Sequence, residues 1–362
     1  MTSTQALNAA GQSLWLDNIT RTMLDDATLA GYIDELTVTG LTSNPSIFDK
    51  AIEASSAYDS QIAEVGRDAA RTDEAVFFDL AIDDLRRAAD EFAEVYERTD
   101  HLDGYVSLEV SPELAFDTEA TIAQARELYG RMERPNVFIK IPGTPEGLPA
   151  IATAIHEGIP VNVTLLFSSA HHIAAAEAWM TGIERRIADG LPPDVPSVAS
   201  LFMSRWDVKA NPDVPEELRH RLALAIGGRA YRAYLDLLAS PRMQRLMNAG
   251  ARPQRLLWAS TGTKDPAASD TLYVHGLVAP YTVNTMPEAT LLAYADHGPA
   301  PELMPADGGD AEPLLTRFAA AGVDVDAYAA DLQQAGAEAF VTSWTSLLAS
   351  IAEKRAAVAT GG

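Results

Sequence analysis

The chain has 362 residues, 47% of them apolar, and carries a formal net charge of −24. Its length fits one large α/β domain or two ordinary domains, and its apolar fraction is enough to bury a sizeable core. The acidic balance argues against nucleic-acid and anionic-membrane partners, since both bind basic patches. The sequence contains no cysteine, which excludes disulfides, thiol nucleophiles and cysteine-ligated metals.

The sequence carries no familiar targeting or cofactor signal. It lacks a run of about 18 uncharged apolar residues and a basic N-terminal stretch followed by an apolar one, so we expect a soluble cytoplasmic protein. The motifs HExxH, GxGxxG and GxxxxGK[ST] are absent. His171 and His172 open a helical pattern, where we expect them to be solvated rather than to bind a metal. We therefore predict neither a metal nor a cofactor, and both a monomer and a homodimer remain open.

Short apolar runs alternate with longer amphipathic segments along the chain. The predicted strands, in order, are Leu14–Ile19, Val38–Thr42, Tyr105–Val110, Val137–Ile141, Val161–Phe167, Ser197–Met203, Arg255–Ser260 and Tyr281–Thr285. Helical periodicity is found between them, most clearly at Asp73–Tyr96, Thr118–Glu133, Ser168–Asp189 and Pro215–Ala239. Strands that alternate with helices pair in parallel through right-handed crossovers.

Eight such strands predict a (β/α)8 barrel, in which the sheet closes on itself inside a ring of helices. An open doubly wound sheet is the alternative, but the glycine-rich first turn typical of that fold is missing. No linker or internal repeat divides the chain, so residues 1–362 are predicted to form one domain. Ala329–Val358 is predicted to be a long C-terminal helix, with residues 1–10 and 359–362 as loose termini.

One lysine stands out because it interrupts an apolar strand. Lys140 lies within Val137–Ile141, whereas the other lysines lie among polar or turn residues. Burying an unpaired charge is expensive, and a buried lysine usually avoids that cost by losing its proton, which leaves a nucleophilic amine able to form a Schiff base. The alternative is a structural lysine that reaches the strand edge or pairs with a carboxylate.

Further polar residues interrupt the strands at their carboxyl ends, where barrel enzymes place their active sites. Each also has a structural interpretation: Asp17 could cap a helix, and Asn44 could belong only to a turn and N-cap. Glu109 is harder to explain in this way, because a carboxylate inside an apolar strand needs a partner. Polar groups at equivalent strand ends favour one shared cavity. The set is Asp17, Thr42, Asn44, Glu109, Lys140, Asn162, Thr164 and Ser200.

An amine nucleophile, two carboxylates and hydrogen-bonding amides suit class I aldol chemistry. The lysine would condense with a ketone to an iminium, which accepts electrons when the adjacent C–C bond breaks. One carboxylate would take the proton of the departing aldehyde's hydroxyl, and another acid–base group would move protons during dehydration of the carbinolamine.

At these residues the sequence resembles the transaldolase family. The motifs that carry the resemblance follow one another from the first predicted strand to the eighth, so it spans nearly the whole chain. They are Leu16-Asp17-Asn18-Ile19-Thr20-Arg21, Gly40-Leu41-Thr42-Ser43-Asn44-Pro45-Ser46, Val106-Ser107-Leu108-Glu109-Val110, Phe138-Ile139-Lys140-Ile141-Pro142-Gly143-Thr144, Val161-Asn162-Val163-Thr164-Leu165-Leu166-Phe167-Ser168 and Ser200-Leu201-Phe202-Met203-Ser204-Arg205. Ala259-Ser260-Thr261-Gly262-Thr263-Lys264 and Thr282-Val283-Asn284-Thr285-Met286-Pro287 resemble the longer bacterial branch of that family.

The resemblance implies a (β/α)8 barrel whose Schiff-base lysine on the fourth strand is Lys140. It implies that Asp17 is the base for C–C cleavage and that Glu109, with Thr164 and a bound water, shuttles protons. Substrate-binding positions would include Thr42, Asn44, Asn162 and Ser200, with Arg205 on the substrate phosphate. The implied activity is transfer of dihydroxyacetone between sugar phosphates in the pentose phosphate pathway, without a cofactor.

The sequence departs from the family pattern after the seventh strand. Many transaldolases have Ser-x-Arg there, with the arginine on the phosphate, whereas this chain has Ser260-Thr261-Gly262 and Lys264 as the nearest cation. Lys264 is the candidate replacement, although a lysine cannot make the bidentate fork of an arginine. Two alternative functions remain: an aldolase of similar fold that releases free dihydroxyacetone, and a catalytically silent barrel that serves as a scaffold.

Overall fold

A computed structural model describes residues 1–66, 68 and 70–360. Eight parallel strands close into a barrel in the order β1-β2-β3-β4-β5-β6-β7-β8, and helices separate them along the chain. The predicted (β/α)8 fold is therefore confirmed. The strands are β1 (Gln12–Asp17), β2 (Val38–Thr42), β3 (Tyr105–Glu109), β4 (Val137–Pro142), β5 (Val161–Leu166), β6 (Ser197–Phe202), β7 (Arg255–Ala259) and β8 (Thr282–Met286).

The helices surround the barrel and close its ends. They are α1 (Ser3–Ala9), α2 (Arg21–Asp25), α3 (Thr28–Leu36), α4 (Pro45–Ala54), α5 (Asp59–Val65), α6 (Asp73–Glu91), α7 (Ala93–Arg98), α8 (Thr118–Met132), α9 (Gly147–Glu157), α10 (Ser169–Ala188), α11 (Ser204–Ala210), α12 (Leu222–Ala239), α13 (Pro241–Asn248), α14 (Leu272–Gly276), α15 (Glu288–His297), α16 (Ala311–Ala320) and α17 (Val325–Thr360). Two short 3-10 helices lie at Pro112–Leu114 and Glu216–Leu218. Within the described ranges, every helix falls short of what a bilayer-spanning segment needs in length and apolarity.

The register of the barrel brings the polar strand ends together. Asp17 is opposite Thr42 across β1 and β2, Glu109 is opposite Lys140 across β3 and β4, and Lys140 is opposite Asn162 across β4 and β5. In a barrel, residues opposite one another on neighbouring strands point to the same side of the sheet. These residues are far apart in the sequence, but in the barrel they form part of a ring around its carboxyl end.

Helix α17 crosses that end of the barrel and is anchored by polar contacts. The Gln333 side-chain amide donates hydrogen bonds to the carbonyl oxygens of Gly143 (3.1 Å) and Leu165 (2.9 Å), which lie at the ends of β4 and β5. On the opposite side, the Ser46 hydroxyl is 2.6 Å from the Ser343 hydroxyl. The helix is longer at both ends than the predicted Ala329–Val358.

The prediction of a loose N-terminus is wrong. Residues 3–9 form α1, in which Thr2 and Gln5 make a reciprocal capping box that satisfies the first backbone N–H groups. Thr4 and Leu7 are fully buried, so the helix is held by apolar packing as well. Of the C-terminal residues predicted to be loose, Thr360 ends α17, and residues 361–362 lie outside the described residues.

Two predicted helices have different bounds in the structure. The helix predicted at Pro215–Ala239 begins only at Leu222, because the preceding residues form a 3-10 turn and His220 adopts a left-handed backbone with φ of 61°. The segment predicted as Asp73–Tyr96 is divided at Phe92 into α6 and α7.

The prediction that His171 and His172 are solvated is wrong for His172. Its side chain is fully buried in α10 and packs edge-on against Tyr234 at 5.7 Å. Both ring nitrogens lack a hydrogen-bond partner among the described residues. Burial lowers the pKa of His172 to about 4, so the imidazole is neutral at neutral pH. His171 is half-buried, and its Nδ1 accepts a hydrogen bond from the Phe167 backbone N–H at 3.2 Å.

Candidate active site

A cavity of about 730 Å³ opens at the carboxyl end of the barrel. This is the end at which (β/α)8 enzymes place their chemistry. Most of the residues proposed from the sequence line this cavity: Asp17, Thr42, Asn44, Lys140, Ser200, Arg205, Ser260 and Lys264. Glu109, Asn162 and Thr164 do not line it; Glu109 contacts the lining residue Lys140, and Asn162 contacts the lining residue Ser200.

Lys140 and Glu109 form a buried ion pair at the base of the cavity. The ammonium nitrogen is 2.9 Å from Glu109 Oε2, and the two side chains are only 5% and 4% exposed. The ammonium also donates a hydrogen bond to the backbone carbonyl of Ser43 at 3.2 Å. Burial raises the pKa of Glu109, while its attraction to Lys140 opposes that rise. A carboxylate with a raised pKa beside a lysine amine is suited to accept and return a proton.

One side of Glu109 is left without a partner. Its Oε1 atom and the hydroxyl of Thr164 are both buried and make no hydrogen bond within the described part of the chain. Thr164 lies on β5 opposite Pro142, two residues beyond the pair formed by Lys140 and Asn162. Buried polar groups are nearly always satisfied by a protein or water partner, so the shared role of Glu109 and Thr164 in proton transfer remains a prediction.

Asp17 occupies a second position in the cavity, at the end of β1. Its Oδ1 atom accepts a hydrogen bond from the Thr42 hydroxyl at 2.8 Å. Burial raises the pKa of Asp17, and the charges of Lys140 and Lys264 and the Thr42 hydrogen bond act against that rise. The interpretation of Asp17 as a helix cap is not supported, because Thr20 caps α2 instead.

Amide and hydroxyl groups complete the floor of the cavity. Ser200 donates a hydrogen bond to Asn162 Oδ1 at 2.7 Å, and Asn162 Nδ2 donates to the Ser107 hydroxyl at 3.1 Å. Asn162 is fully buried and therefore orients Ser200 from behind. Asn44 Oδ1 caps α4 by accepting a hydrogen bond from the Ile47 N–H, and the residue also lines the cavity. Its predicted contact with the substrate remains a prediction.

Cations without carboxylate partners lie around the wall and mouth of the cavity. Lys50, Arg205 and Lys264 all line it, and none of them makes an ion pair with another described residue. Arg205 is half-buried between the rings of Phe202 (5.4 Å) and Phe340 (6.0 Å), and burial lowers its pKa. In a strongly acidic protein, unpaired cations around one cavity indicate an anionic ligand.

Several lining residues were not proposed from the sequence. Phe340 of α17 lines the cavity and places its ring 5.6 Å from the Lys140 ammonium. Thr285 and Glu288 contribute from β8 and α15. Thr285 lies in one of the motifs that carry the family resemblance, but that motif does not mark its side chain as part of the site, and no local pattern links Phe340 to a strand lysine.

The described residues contain no group of three or more His, Asp or Glu side chains placed to bind a metal ion. The predicted absence of a metal and of a cofactor remains a prediction, which activity measurements with and without a chelator would test.

The chain is similar to a family of known proteins along most of its length. Residues 14–351 match the family model described as Transaldolase/Fructose-6-phosphate aldolase. Curated proteins named Transaldolase are similar along nearly the whole chain. One from Thiobacillus denitrificans is 45% identical over 97% of this chain and 100% of its own, and one from Saccharopolyspora erythraea is 43% identical over 97% of both chains. A third, from Mycolicibacterium paratuberculosis, is 46% identical over 95% of this chain and 94% of its own. The chain belongs to the transaldolase/fructose-6-phosphate aldolase family.

Proposed function

We propose that this enzyme transfers a dihydroxyacetone unit between sugar phosphates through an imine on Lys140. The reaction is that of a transaldolase in the pentose phosphate pathway: sedoheptulose 7-phosphate and glyceraldehyde 3-phosphate are interconverted with erythrose 4-phosphate and fructose 6-phosphate. The buried Lys140–Glu109 pair is the observation that carries the proposal, because a lysine must lose a proton to a nearby base before it can attack a carbonyl.

Imine formation needs two proton movements that Glu109 can serve. Lys140 first gives a proton to Glu109, and the free amine attacks the ketone carbon of the donor sugar. The resulting carbinolamine loses its hydroxyl as water when Glu109 returns the proton, which leaves an iminium on Lys140. A water held between Glu109 Oε1 and the Thr164 hydroxyl would carry the proton to the leaving hydroxyl.

Asp17 is suited to the C–C cleavage that follows. Its ionised carboxylate takes the proton from the hydroxyl next to the bond that breaks, an aldose phosphate leaves, and the bonding electrons pass to the iminium to form an enamine. A second aldose phosphate then enters, the enamine carbon attacks its carbonyl, and Asp17 returns the proton. The new ketose phosphate remains on Lys140 as an iminium until water adds to it, which releases the sugar and restores the lysine. Ser200, Asn44 and Thr42 would hold the hydroxyl groups of the three-carbon unit during both half-reactions.

Transfer to an aldose, rather than hydrolysis, requires that the enamine be kept from water. The rings of Phe340 and Phe202 line the cavity 6.4 Å apart, and Phe340 lies 5.6 Å from the Lys140 ammonium. Apolar rings beside the lysine would limit the water that can protonate the enamine and release free dihydroxyacetone. The geometry thus favours transfer over the aldolase alternative.

The phosphate of either substrate would bind at the cationic side of the cavity. Arg205 is the main candidate because it is half-buried, has no carboxylate partner and lines the cavity. Lys264, on the exposed loop after β7, and the Ser260 hydroxyl, which is 2.9 Å from that of Ser204, are the secondary candidates. A net charge of −24 makes local cations necessary for a dianionic ligand.

Cellular location and domain organisation are part of the proposal. Sugar phosphates are charged and stay in the compartment that makes them, so we place the enzyme in the cytoplasm, without a nucleic-acid or membrane partner. We treat residues 1–362 as one domain. Monomer and homodimer both remain compatible with the sequence, and sedimentation would distinguish them.

The test is a coupled assay with fructose 6-phosphate as donor and erythrose 4-phosphate as acceptor. Steady formation of glyceraldehyde 3-phosphate should require the acceptor. The same rate without the acceptor, together with release of free dihydroxyacetone, would assign an aldolase. Asp17→Ala should still form the imine but fail to release glyceraldehyde 3-phosphate, and Glu109→Ala should slow imine formation itself. Equal, near-normal behaviour of both variants would contradict the assigned roles.

A further inference from the structure

We infer that Thr285 is a positioning residue for Asp17, acting through Thr42, so that a two-threonine relay holds the cleavage base in its ionised, oriented form. The inference rests on the proposed function and adds to it a residue that neither contacts Asp17 directly nor was proposed from the sequence. Its basis is a chain of short hydrogen bonds across three adjacent strand ends, on β8, β1 and β2.

The relay is short and shielded from solvent. The Thr285 hydroxyl is 2.6 Å from the Thr42 hydroxyl, which in turn is 2.8 Å from Asp17 Oδ1. Both threonines are only 2% exposed, yet both line the cavity. The backbone fixes the arrangement, because Thr42 is opposite Asp17 and Thr285 is opposite Trp15, two residues before Asp17 on β1.

The direction of the hydrogen bonds follows from the charge on Asp17. An ionised carboxylate only accepts hydrogen bonds, so Thr42 must donate its single hydroxyl proton to Asp17. The proton between the two threonines must then come from Thr285. A hydroxyl that itself accepts a hydrogen bond becomes a stronger donor, so Thr285 strengthens the bond from Thr42 to the ionised carboxylate.

The surroundings of Asp17 make such support necessary. Burial works against its charged form, and Glu109 on β3 repels it. Lys140 on β4 and Lys264 in the loop after β7 favour the charge. However, Lys140 becomes part of an imine during the reaction, and Lys264 is assigned to the substrate phosphate. Glu288 of α15 adds a further carboxylate to the cavity wall. The threonine relay is a stabilising contact that does not depend on either of these two cations.

The experiment compares Thr285→Val with Thr285→Ser, because valine keeps the shape of the side chain and serine keeps the hydroxyl. Single-turnover release of glyceraldehyde 3-phosphate from fructose 6-phosphate would be followed across acidic and neutral pH. Borohydride trapping of the imine would be measured in parallel. Thr39→Val, which removes another buried hydroxyl from β2 at a distance from Asp17, is the matched control.

Thr285→Val should slow cleavage about tenfold, equivalent to about 1.4 kcal/mol, and should move the acidic limb of the pH profile to higher pH. The fraction of enzyme trapped as imine should stay at the wild-type level, and Thr285→Ser should restore both the rate and the pH profile. The inference fails if the acidic limb of Thr285→Val is unchanged, if serine does not restore it, or if Thr39→Val shifts it equally. Absence of trapping in the wild-type protein would instead overturn the proposed function. If the valine variant does not fold, Thr285→Ala against Thr285→Ser gives the same comparison.

Discussion

The buried pair of Lys140 and Glu109 yields a prediction about stability that does not depend on catalysis. At a separation of 2.9 Å, the attraction is about 6 kcal/mol for an effective dielectric constant of about 20, and the desolvation of both ions offsets much of it. Removal of one partner leaves a buried charge without compensation. We therefore expect Lys140→Met or Glu109→Leu to lose about 3–5 kcal/mol in the free energy of unfolding at about pH 7.

The double variant Lys140→Met/Glu109→Leu should regain most of that loss, because two apolar side chains replace the pair without leaving a charge. Lys209→Met is the control. Lys209 pairs with Asp331 at the surface, and because these side chains are 32% and 66% exposed, the pair should contribute little to the free energy of unfolding. Urea denaturation of all four variants measures the comparison. A double variant as unstable as the sum of the single variants would refute the reasoning.

The pH dependence of Lys140→Met gives an independent check. Without the lysine, Glu109 avoids a buried charge by taking up a proton, so its pKa in the folded state lies further above the ordinary value of 4.5. Between pH 4.5 and this raised pKa, the folded state then binds more protons than the unfolded state. The loss of stability should therefore be small below pH 4.5 and grow as the pH rises. An equal loss at acidic and neutral pH would contradict this account.

Three further predictions follow from other parts of the molecule. Arg205→Ala should raise the KM for fructose 6-phosphate strongly and barely change activity on unphosphorylated fructose. Lys264→Ala should have the same effect on KM, but a smaller one. Equal effects on both sugars would refute a phosphate role. In the folded protein the pKa of His172 is about 4, below its ordinary value, so only the unfolded state takes up a proton here between about pH 6.5 and about pH 4. The free energy of unfolding should therefore fall by about 3 kcal/mol as the pH falls through that range. His172→Phe should remove that part of the pH dependence in thermal or urea unfolding, and an unchanged profile would contradict the burial argument. Activity should survive EDTA, whereas loss in EDTA and recovery with zinc or magnesium would indicate a metal-dependent aldolase.

The barrel strands could be predicted closely because each is a short, largely buried run that contains apolar and β-branched residues between turns. Val38–Thr42 matches β2 at both ends. Polar residues within such runs were also informative, since Lys140 and Glu109 had to find partners in an apolar environment. Their positions at the carboxyl ends of the strands located the cavity.

Other features depend on contacts between distant parts of the chain. Phe340 reaches Lys140 only because α17 crosses the barrel mouth, and Thr285 reaches Thr42 only when the barrel closes between β8 and β1. The register of side chains across that closure is not encoded in either strand alone. These two residues could therefore be assigned to the site only from the structure.

The sequence contains signals for the two features that were predicted wrongly, α1 and the burial of His172. The Thr2-x-x-Gln5 pattern is a capping box, which marks the start of α1. His172 is spaced three, four and seven residues from Ala175, Ala176 and Trp179, which are all buried on the inner face of α10. Helical periodicity therefore places this histidine in the core.

The proposed function requires that Lys140 forms the covalent intermediate with the donor sugar. Incubation with fructose 6-phosphate, reduction with borohydride and peptide mass mapping would test it directly. We expect one dihydroxyacetone-derived adduct on the peptide that contains Lys140, and no adduct in Lys140→Ala. An adduct on Lys264, or the same labelling in Lys140→Ala, would contradict it.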